Sequence, residues 1–191
     1  MLFSSLTQPV TLYDSAGTEV HAPPTGSYFA PVNIRQTGTT AAATTVWYLN
    51  AAGSLSLYIR RIVLGVHFDG TAAAALQRYD VMRYGTAVCS AGTAITVVLK
   101  SSGGAATTAT AGFADTGVTT TNVAFETALT TMGVPISVTG KSAIYKYDFT
   151  TPGQKYGELV IANGKGLAIQ LSTVAAVVGQ SVTGYVEWDE K

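Results

Sequence analysis

The chain has 191 residues, 11 basic and 11 acidic side chains and a net charge of zero, and only 12% of its residues are charged, about half of the ~25% usual in soluble domains. Its length fits a single domain with a substantial core. The neutral balance, free of charge runs, argues against a nucleic-acid-binding surface or a polybasic membrane patch, and no apolar stretch approaches the ~18 residues that a membrane-spanning helix needs.

Small residues dominate the composition, with 28 Thr, 27 Ala and 20 Gly. Threonine favours strands and glycine favours turns. A surface with so few charges is poorly protected against self-association, so we expect neighbouring subunits to cover part of it. The single cysteine, Cys89, excludes an internal disulfide and is interpreted as a small buried side chain. Because the N-terminus lacks the basic and apolar regions of a secretory signal, we expect synthesis in the cytoplasm.

Residues 1–26 are predicted to form an extended N-terminal arm. Three prolines and a turn at Asp14–Gly17 leave room for one short strand at most, Val10 to Tyr13. The arm is too apolar to be a solvated tail, so we expect it to lie against its own domain or against a neighbour. Its predicted anchors in a protein interface are Leu2, Phe3, Leu6 and Leu12.

From residue 27 to residue 191 the pattern is that of one domain built from short strands, in which apolar and polar residues alternate between turn signals. Pro31 places the first strand at a sheet edge or a bulge. In the longest segment, 54–70, the apolar parity changes at Arg60-Arg61, which indicates a β-bulge or a bend. The other predicted strands are 45–49, 76–84, 93–100, 136–139, 142–150, 158–162, 166–172 and 181–188.

One short helix is predicted near residues 122–132. Asn122 is a suitable cap, and apolar residues follow it at helical spacing up to a closing glycine; they are Phe125, Leu129 and Met132, with the glycine at Gly133. The Gly-, Ala- and Thr-rich residues 101–117 are predicted to form a long surface loop. About nine or ten strands with one helix favour an all-β antiparallel sandwich, most consistent with a jelly roll.

Motifs for catalysis and metal binding are sparse. Only His21, His67 and Cys89 could supply nitrogen or sulfur ligands, so no metal site is predicted. A Ser-His-Asp site would need one of these histidines as its base, and neither has a suitable serine context. Residues 163–166 lack the spacing of a phosphate-binding loop and are interpreted as a hairpin turn. We therefore predict no catalytic, cofactor-binding or metal-binding residues.

The last ten residues, VTGYVEWDEK, hold the densest acidic cluster of the chain. A glycoside hydrolase needs two carboxylates that face one cleft. Glu187 and Asp189 are two residues apart, so their side chains would point to the same side of a strand. The interpretation that we favour is a final sandwich strand, with Trp188 in the core and Glu187, Asp189 and Glu190 as its solvated polar end.

The tyrosines raise the possibility of carbohydrate binding, because sugars stack on aromatic rings. Tyr145 and Tyr147 share one face with Phe149. This face fits a stacking stripe or, as we favour, a core or interface face.

Residues 141–190 resemble the closing strands of tailed-bacteriophage virion proteins. The likeness lies in a Pro152-Gly153 turn, a strand at Leu159–Ala162, a Gly-Leu-Ala-Ile strand and a final V-x-G-x-V-x-W-x-E strand. Among these proteins, the chain looks most like a capsid decoration (cement) protein. The resemblance implies a jelly-roll-like sandwich that acts by binding, is often trimeric, sits across joints between major capsid proteins and uses extended arms to hold its neighbours.

We therefore expect a non-enzymatic virion structural protein that binds and stabilises the capsid shell. The resemblance implies two kinds of partner, which are the major capsid protein and further copies of the chain in a homotrimer. It also implies that the protein is located on the capsid surface. Residues 103–117 and 70–75 are candidate contact loops. The main alternative is a receptor- or carbohydrate-binding module associated with a tail or fibre, and a sandwich glycosidase is the third possibility.

Overall fold

The computed structural model describes residues 26–36, 43–68, 76–85, 88–100, 105–115, 117–120, 123–135, 140–149, 159–171 and 179–191. Within these ranges the chain forms twelve strands and no helix, in two antiparallel sheets of six strands each. The strands are β1 (Gly26–Arg35), β2 (Thr45–Asn50), β3 (Leu57–Phe68), β4 (Leu76–Gly85), β5 (Thr93–Ala94), β6 (Val98–Leu99), β7 (Thr110–Phe113), β8 (Ala124–Pro135), β9 (Lys141–Asp148), β10 (Leu159–Ile161), β11 (Gly166–Leu171) and β12 (Gln180–Glu190).

Eight of these strands have the order of a jelly roll. Sheet I contains β9-β3-β12-β1 and sheet II contains β2-β11-β4-β8. In chain order the eight strands are β1, β2, β3, β4, β8, β9, β11 and β12. The first pairs with the last, and the pairing continues inward: β1 with β12, β2 with β11, β3 with β9 and β4 with β8. This pairing results when one long antiparallel hairpin is wound into two facing sheets. The predicted all-β sandwich of jelly-roll type is therefore confirmed.

The other four strands extend the two sheets at their margins. The segment between β4 and β8 places β6 beside β1 in sheet I, and in sheet II it places β7 beside β2 and β5 beside β7. β10 pairs with the start of β3, next to β9. The prediction of a loop over residues 101–117 is thus wrong for β7, whose backbone bonds to Trp47–Asn50 of β2.

The core lies between the sheets and consists of the inward-facing side chains of alternate residues. Trp47 of sheet II and Trp188 of sheet I are both fully buried, and the Tyr28 ring stacks on Trp188 with 5.9 Å between ring centroids. Burial of each large apolar side chain stabilises the fold by roughly 1.5–3 kcal/mol. The predicted core position of Trp188 is confirmed.

The change of parity predicted at Arg60-Arg61 is a β-bulge. In the ladder between β3 and β12, Arg61 pairs with Glu187 and Ile59 pairs with Trp188, so Arg60 is the extra residue. The bulge keeps the apolar residues on both sides of it facing the core. Both arginines form ion pairs instead of packing in the interior.

The helix predicted near residues 122–132 is wrong, because β8 occupies these residues from Ala124 onward and pairs with β4. Three steps along β4, from Tyr84 to Val81, oppose five steps along β8, from Phe125 to Thr130, so β8 carries two extra residues. Each extra residue reverses the side-chain parity, and the apolar residues then recur at spacings that imitate a helix.

Pro31 lies at a position of β1 where the absence of a backbone N–H removes no hydrogen bond to a neighbouring strand. Among the described residues, β6 pairs with β1 at Tyr28 and Phe29, and none pairs with β1 on that side at Pro31. The prediction that this proline marks an edge position is confirmed.

Candidate binding surface

The side of sheet I that faces away from the core, here called the outer face, presents alternate residues of β9, β3, β12 and β1. The register aligns these residues in rows across the sheet. The two rows nearest the bulge are Asp148, Arg61, Glu187 and Phe29, and then Lys146, Val63, Tyr185 and Pro31.

Arg61 occupies the middle of this surface because it follows the bulge and points outward. Its guanidinium donates to Asp148, with 3.1 Å between Nη2 and Oδ2. The hydrogen bond to Asp148 raises the pKa of Arg61, and a second side-chain hydrogen bond, to Tyr185, acts in the same direction. The two partners come from β9 and β12, on opposite sides of β3, so they fix the orientation of a half-exposed side chain.

A second ion pair and an aromatic pair lie beside Arg61. Lys100 Nζ is 2.5 Å from Glu187 Oε1, and the rings of Phe29 and Tyr185 meet edge to face with 6.4 Å between centroids. β6 holds this arrangement in place, because the N–H of Lys100 donates to the carbonyl of Ser27 at 2.9 Å.

Two shallow grooves meet at Arg61 and Tyr185. One has a volume of about 480 Å³ and extends toward β9; its lining includes Val63 of β3 and Lys146 and Asp148 of β9. The other has a volume of about 360 Å³ and extends toward β6; its lining includes Phe29 of β1, Glu187 of β12 and Lys100, which follows β6. Both volumes lie within the ~300–1,000 Å³ typical of small-ligand sites. Among these residues, Glu187 was already a candidate from the sequence, as one acid of a possible glycosidase, whereas Arg61 and Tyr185 were not.

The C-terminal acids differ from their predicted role as a solvated strand end. Asp189 is only 6% exposed and Glu190 only 1%. The prediction is wrong for these two residues because β12 lies inside sheet I, between β3 and β1, rather than at an edge. Asp189 bonds to Arg60, with 2.5 Å between Oδ2 and Nη2, and accepts a hydrogen bond of 2.6 Å from the Ser27 hydroxyl.

Glu190 ties the segment before β7 to the end of β12. Its carboxylate accepts hydrogen bonds from the backbone N–H of Thr108, at 3.1 Å, and of Ala109, at 3.3 Å. The hydroxyls of Thr107 and Thr108 also donate to it. Each buried carboxylate thus has a structural contact, and Glu187, the third acid, pairs with Lys100 on the outer face.

The two tyrosines considered for sugar stacking face inward. Tyr147 is 7% exposed and accepts a 2.6 Å hydrogen bond from the Thr130 hydroxyl of the facing sheet. Tyr145 and Phe149 are half-buried and pack against the core. The interpretation of this face as a core face is therefore confirmed.

Cys89 is buried beneath Tyr84 and Asn50. The Asn50 amide donates to the Cys89 carbonyl at 3.0 Å, and the Tyr84 hydroxyl donates to the Asn50 side-chain oxygen. Burial raises the pKa of the Cys89 thiol to about 11, so the thiolate needed for nucleophilic attack is scarce near neutral pH. The interpretation of Cys89 as a buried structural side chain is confirmed.

His67 lies on the outward parity of β3, between Ser142 and Ser181. This matches the predicted orientation away from the core. The described ranges contain no group of three or more His, Cys, Asp or Glu side chains placed to hold a metal ion.

The predicted interface anchors of the arm, Leu2, Phe3, Leu6 and Leu12, lie outside the described residues, as do His21 and the candidate loop at residues 70–75. Of the predicted arm, Gly26 is described, and it belongs to β1. In the part of the chain described, no helix is long and apolar enough to cross a membrane.

The chain was compared with models of protein families, with curated proteins and with solved structures. None of the three comparisons finds a match.

Proposed function

We propose that this chain is a structural protein of a tailed-bacteriophage virion, which binds the capsid shell and stabilises it without catalysing a reaction. The observation that carries the proposal is the placement of residues 141–190, the part of the sequence that resembles such proteins. These residues supply β9, β10, β11 and β12, and three of these four strands hold closing positions of a jelly roll.

The proposed mechanism is binding through area and repetition. An interface that buries ~1,200–2,000 Å² is enough for specific association, and many identical contacts on one shell add avidity. The low content of charged residues, 12%, leaves much surface that a partner could cover. Ile144, which is 72% exposed on the outer face, is one such side chain.

The proposed partners are the major capsid protein and further copies of this chain, arranged as a homotrimer. The proposed location is the capsid surface of the virion, with assembly in the host cytoplasm. In this proposal Leu2, Phe3, Leu6 and Leu12 anchor the N-terminal arm on a neighbouring subunit.

Binding to capsid shells tests the proposal. Shells would be assembled from the major capsid protein encoded in the same genome, mixed with the purified chain and sedimented. We expect saturable co-sedimentation with a fixed ratio of chain to capsid subunit, because the binding positions on a shell repeat. Absence of co-sedimentation would contradict the capsid role.

The arm is tested in the same assay with the chain lacking residues 1–20 and with a full-length variant in which Leu2, Phe3, Leu6 and Leu12 are replaced by serine. Both changes are expected to lower shell occupancy, since both remove the apolar anchors. Unchanged occupancy with both proteins would contradict the role of the arm while leaving the capsid role intact.

A further inference from the structure

We propose that the paired grooves at Arg61 and Tyr185 on the outer face bind a neutral oligosaccharide. This inference does not depend on the proposed capsid role. It rests on the aromatic rings, the paired donors and acceptors and the charge balance of the grooves.

The aromatic rings supply the apolar part of the site. Tyr185 lines both grooves and Phe29 lines the one toward β6. Both rings are half-buried and contact each other edge to face, 6.4 Å apart, so neither has to lose much side-chain freedom on binding. A sugar ring presents a flat face of C–H groups, which packs against an aromatic ring held in this way.

Donors and acceptors stand next to each other in the grooves. The Arg61–Asp148 pair brings guanidinium N–H groups beside a carboxylate, and the Lys100–Glu187 pair brings an ammonium beside another. Each hydroxyl of a sugar both donates and accepts a hydrogen bond. Neighbouring hydroxyls therefore match a surface on which charged donors and acceptors alternate, and hydrogen bonds to charged groups are the stronger ones.

The charge balance favours a neutral ligand over an anion. Asp148 and Glu187 neutralise Arg61 and Lys100, which leaves Lys146, among the described residues that line the grooves, as the one cation outside these two ion pairs. Phosphate and nucleic-acid sites accumulate basic side chains instead. An apolar ligand would have to remove these ion pairs from water without replacing their hydrogen bonds.

Titration with sugars tests the proposal. The full chain, labelled with ¹⁵N, would be titrated with maltohexaose, cellohexaose, mannohexaose and a sulfated heparin hexasaccharide. We expect at least one neutral hexasaccharide to bind with a Kd tighter than about 1 mM, and the backbone signals of β3 and β12 around Arg61 and Tyr185 to shift. Failure of all three neutral sugars to bind, or tighter binding of the sulfated one, would overturn the proposal.

Variants of the groove locate the binding. Tyr185→Ala and Arg61→Ala are each expected to weaken it at least tenfold, about 1.4 kcal/mol. Tyr185→Phe keeps the ring but loses the hydroxyl bonded to Arg61, so its loss should be smaller. Tyr58→Ala is the matched control, because Tyr58 lies on the outer face without being among the lining residues of either groove. Its ring lies beneath Lys191, whose ammonium is 4.6 Å from the ring centroid.

The outcomes separate a specific site from a general effect on the fold. All four variants would be checked for an unchanged midpoint of urea unfolding. Full binding by Tyr185→Ala and Arg61→Ala would overturn the assignment to this groove, and so would equal weakening by Tyr58→Ala.

Discussion

Glu190 is a buried carboxylate that bonds to two backbone N–H groups and to the hydroxyls of Thr107 and Thr108. Replacing it with glutamine keeps the shape but removes the charge and turns an amide donor toward these donors. We expect Glu190→Gln to lower the free energy of unfolding by about 2 kcal/mol, since a hydrogen bond to a charged group contributes roughly 1.5–3 kcal/mol. Urea unfolding, followed by tryptophan fluorescence, measures the change.

Glu187→Gln is the matched control for that experiment. Glu187 makes a partly exposed ion pair with Lys100, and such pairs contribute less than about 1 kcal/mol. Equal destabilisation by the two substitutions would contradict the structural role of Glu190. A sandwich glycosidase using Glu187 would lose turnover in this same variant, whereas the capsid proposal expects no effect on shell binding.

Two glycines on neighbouring strands give opposite predictions. Gly184 of β12 has a φ of 147°, and a Cβ there would collide with the carbonyl oxygen of Val63. A Cβ on Gly65 of β3 would lie 3.6 Å from Thr183 Oγ1, which is ordinary contact. We expect Gly184→Ala to destabilise the fold by about 3 kcal/mol or more and Gly65→Ala to leave stability unchanged or to raise it by up to about 1 kcal/mol. Thermal unfolding of both variants checks this, and similar losses would contradict it.

At the level of the element, the bulge in β3 makes a prediction about register. Deleting Arg60 removes the extra residue, so Ile59 and Arg61 become neighbours and the apolar residues on both sides of the bulge keep facing the core in strict alternation. We expect the deletion variant to fold and to lose about 2 kcal/mol, because it loses the cation beside Asp189. Arg60→Ala keeps the bulge and removes the same cation, so we expect a similar loss of about 2 kcal/mol. A deletion variant that fails to fold, or that is far less stable than Arg60→Ala, would contradict the assignment of Arg60 as the extra residue.

The elements differ in how well their sequence patterns predict them. β3 and β12 were predictable because each buries one side, and even the bulge left a visible change of parity at Arg60-Arg61. β8 was mistaken for a helix because its two bulges depend on pairing with β4, some 40–50 residues away, which no local pattern records.

The burial of the C-terminal acids and the contacts within the grooves depend on residues that are even further apart in the sequence. Whether Asp189 is solvated depends on β1 and β3, which enclose β12. The contact between Arg61 and Tyr185 joins residues 124 positions apart, one in β3 and one in β12. Outward parity could suggest that each is exposed, but only the strand order brings them together.

For the whole molecule, the proposed assembly predicts a mass in solution. The chain has a mass of 19.8 kDa, so a homotrimer would have three times this mass by light scattering after size exclusion. We expect the full chain to form this trimer or a larger assembly, since its few charges give little protection against association.

The same measurement on the chain lacking residues 1–20 separates assembly from folding. The first described strand begins at Gly26, so this truncation removes no described residue, and the unfolding midpoint should not change. If the arm holds neighbours, the truncated chain should run as a smaller species than the full chain. A full chain that stays monomeric would contradict the proposed trimer and the argument from composition. An oligomer that survives truncation would instead place its contacts on the sandwich, where Ile144 on the outer face is the first side chain to replace.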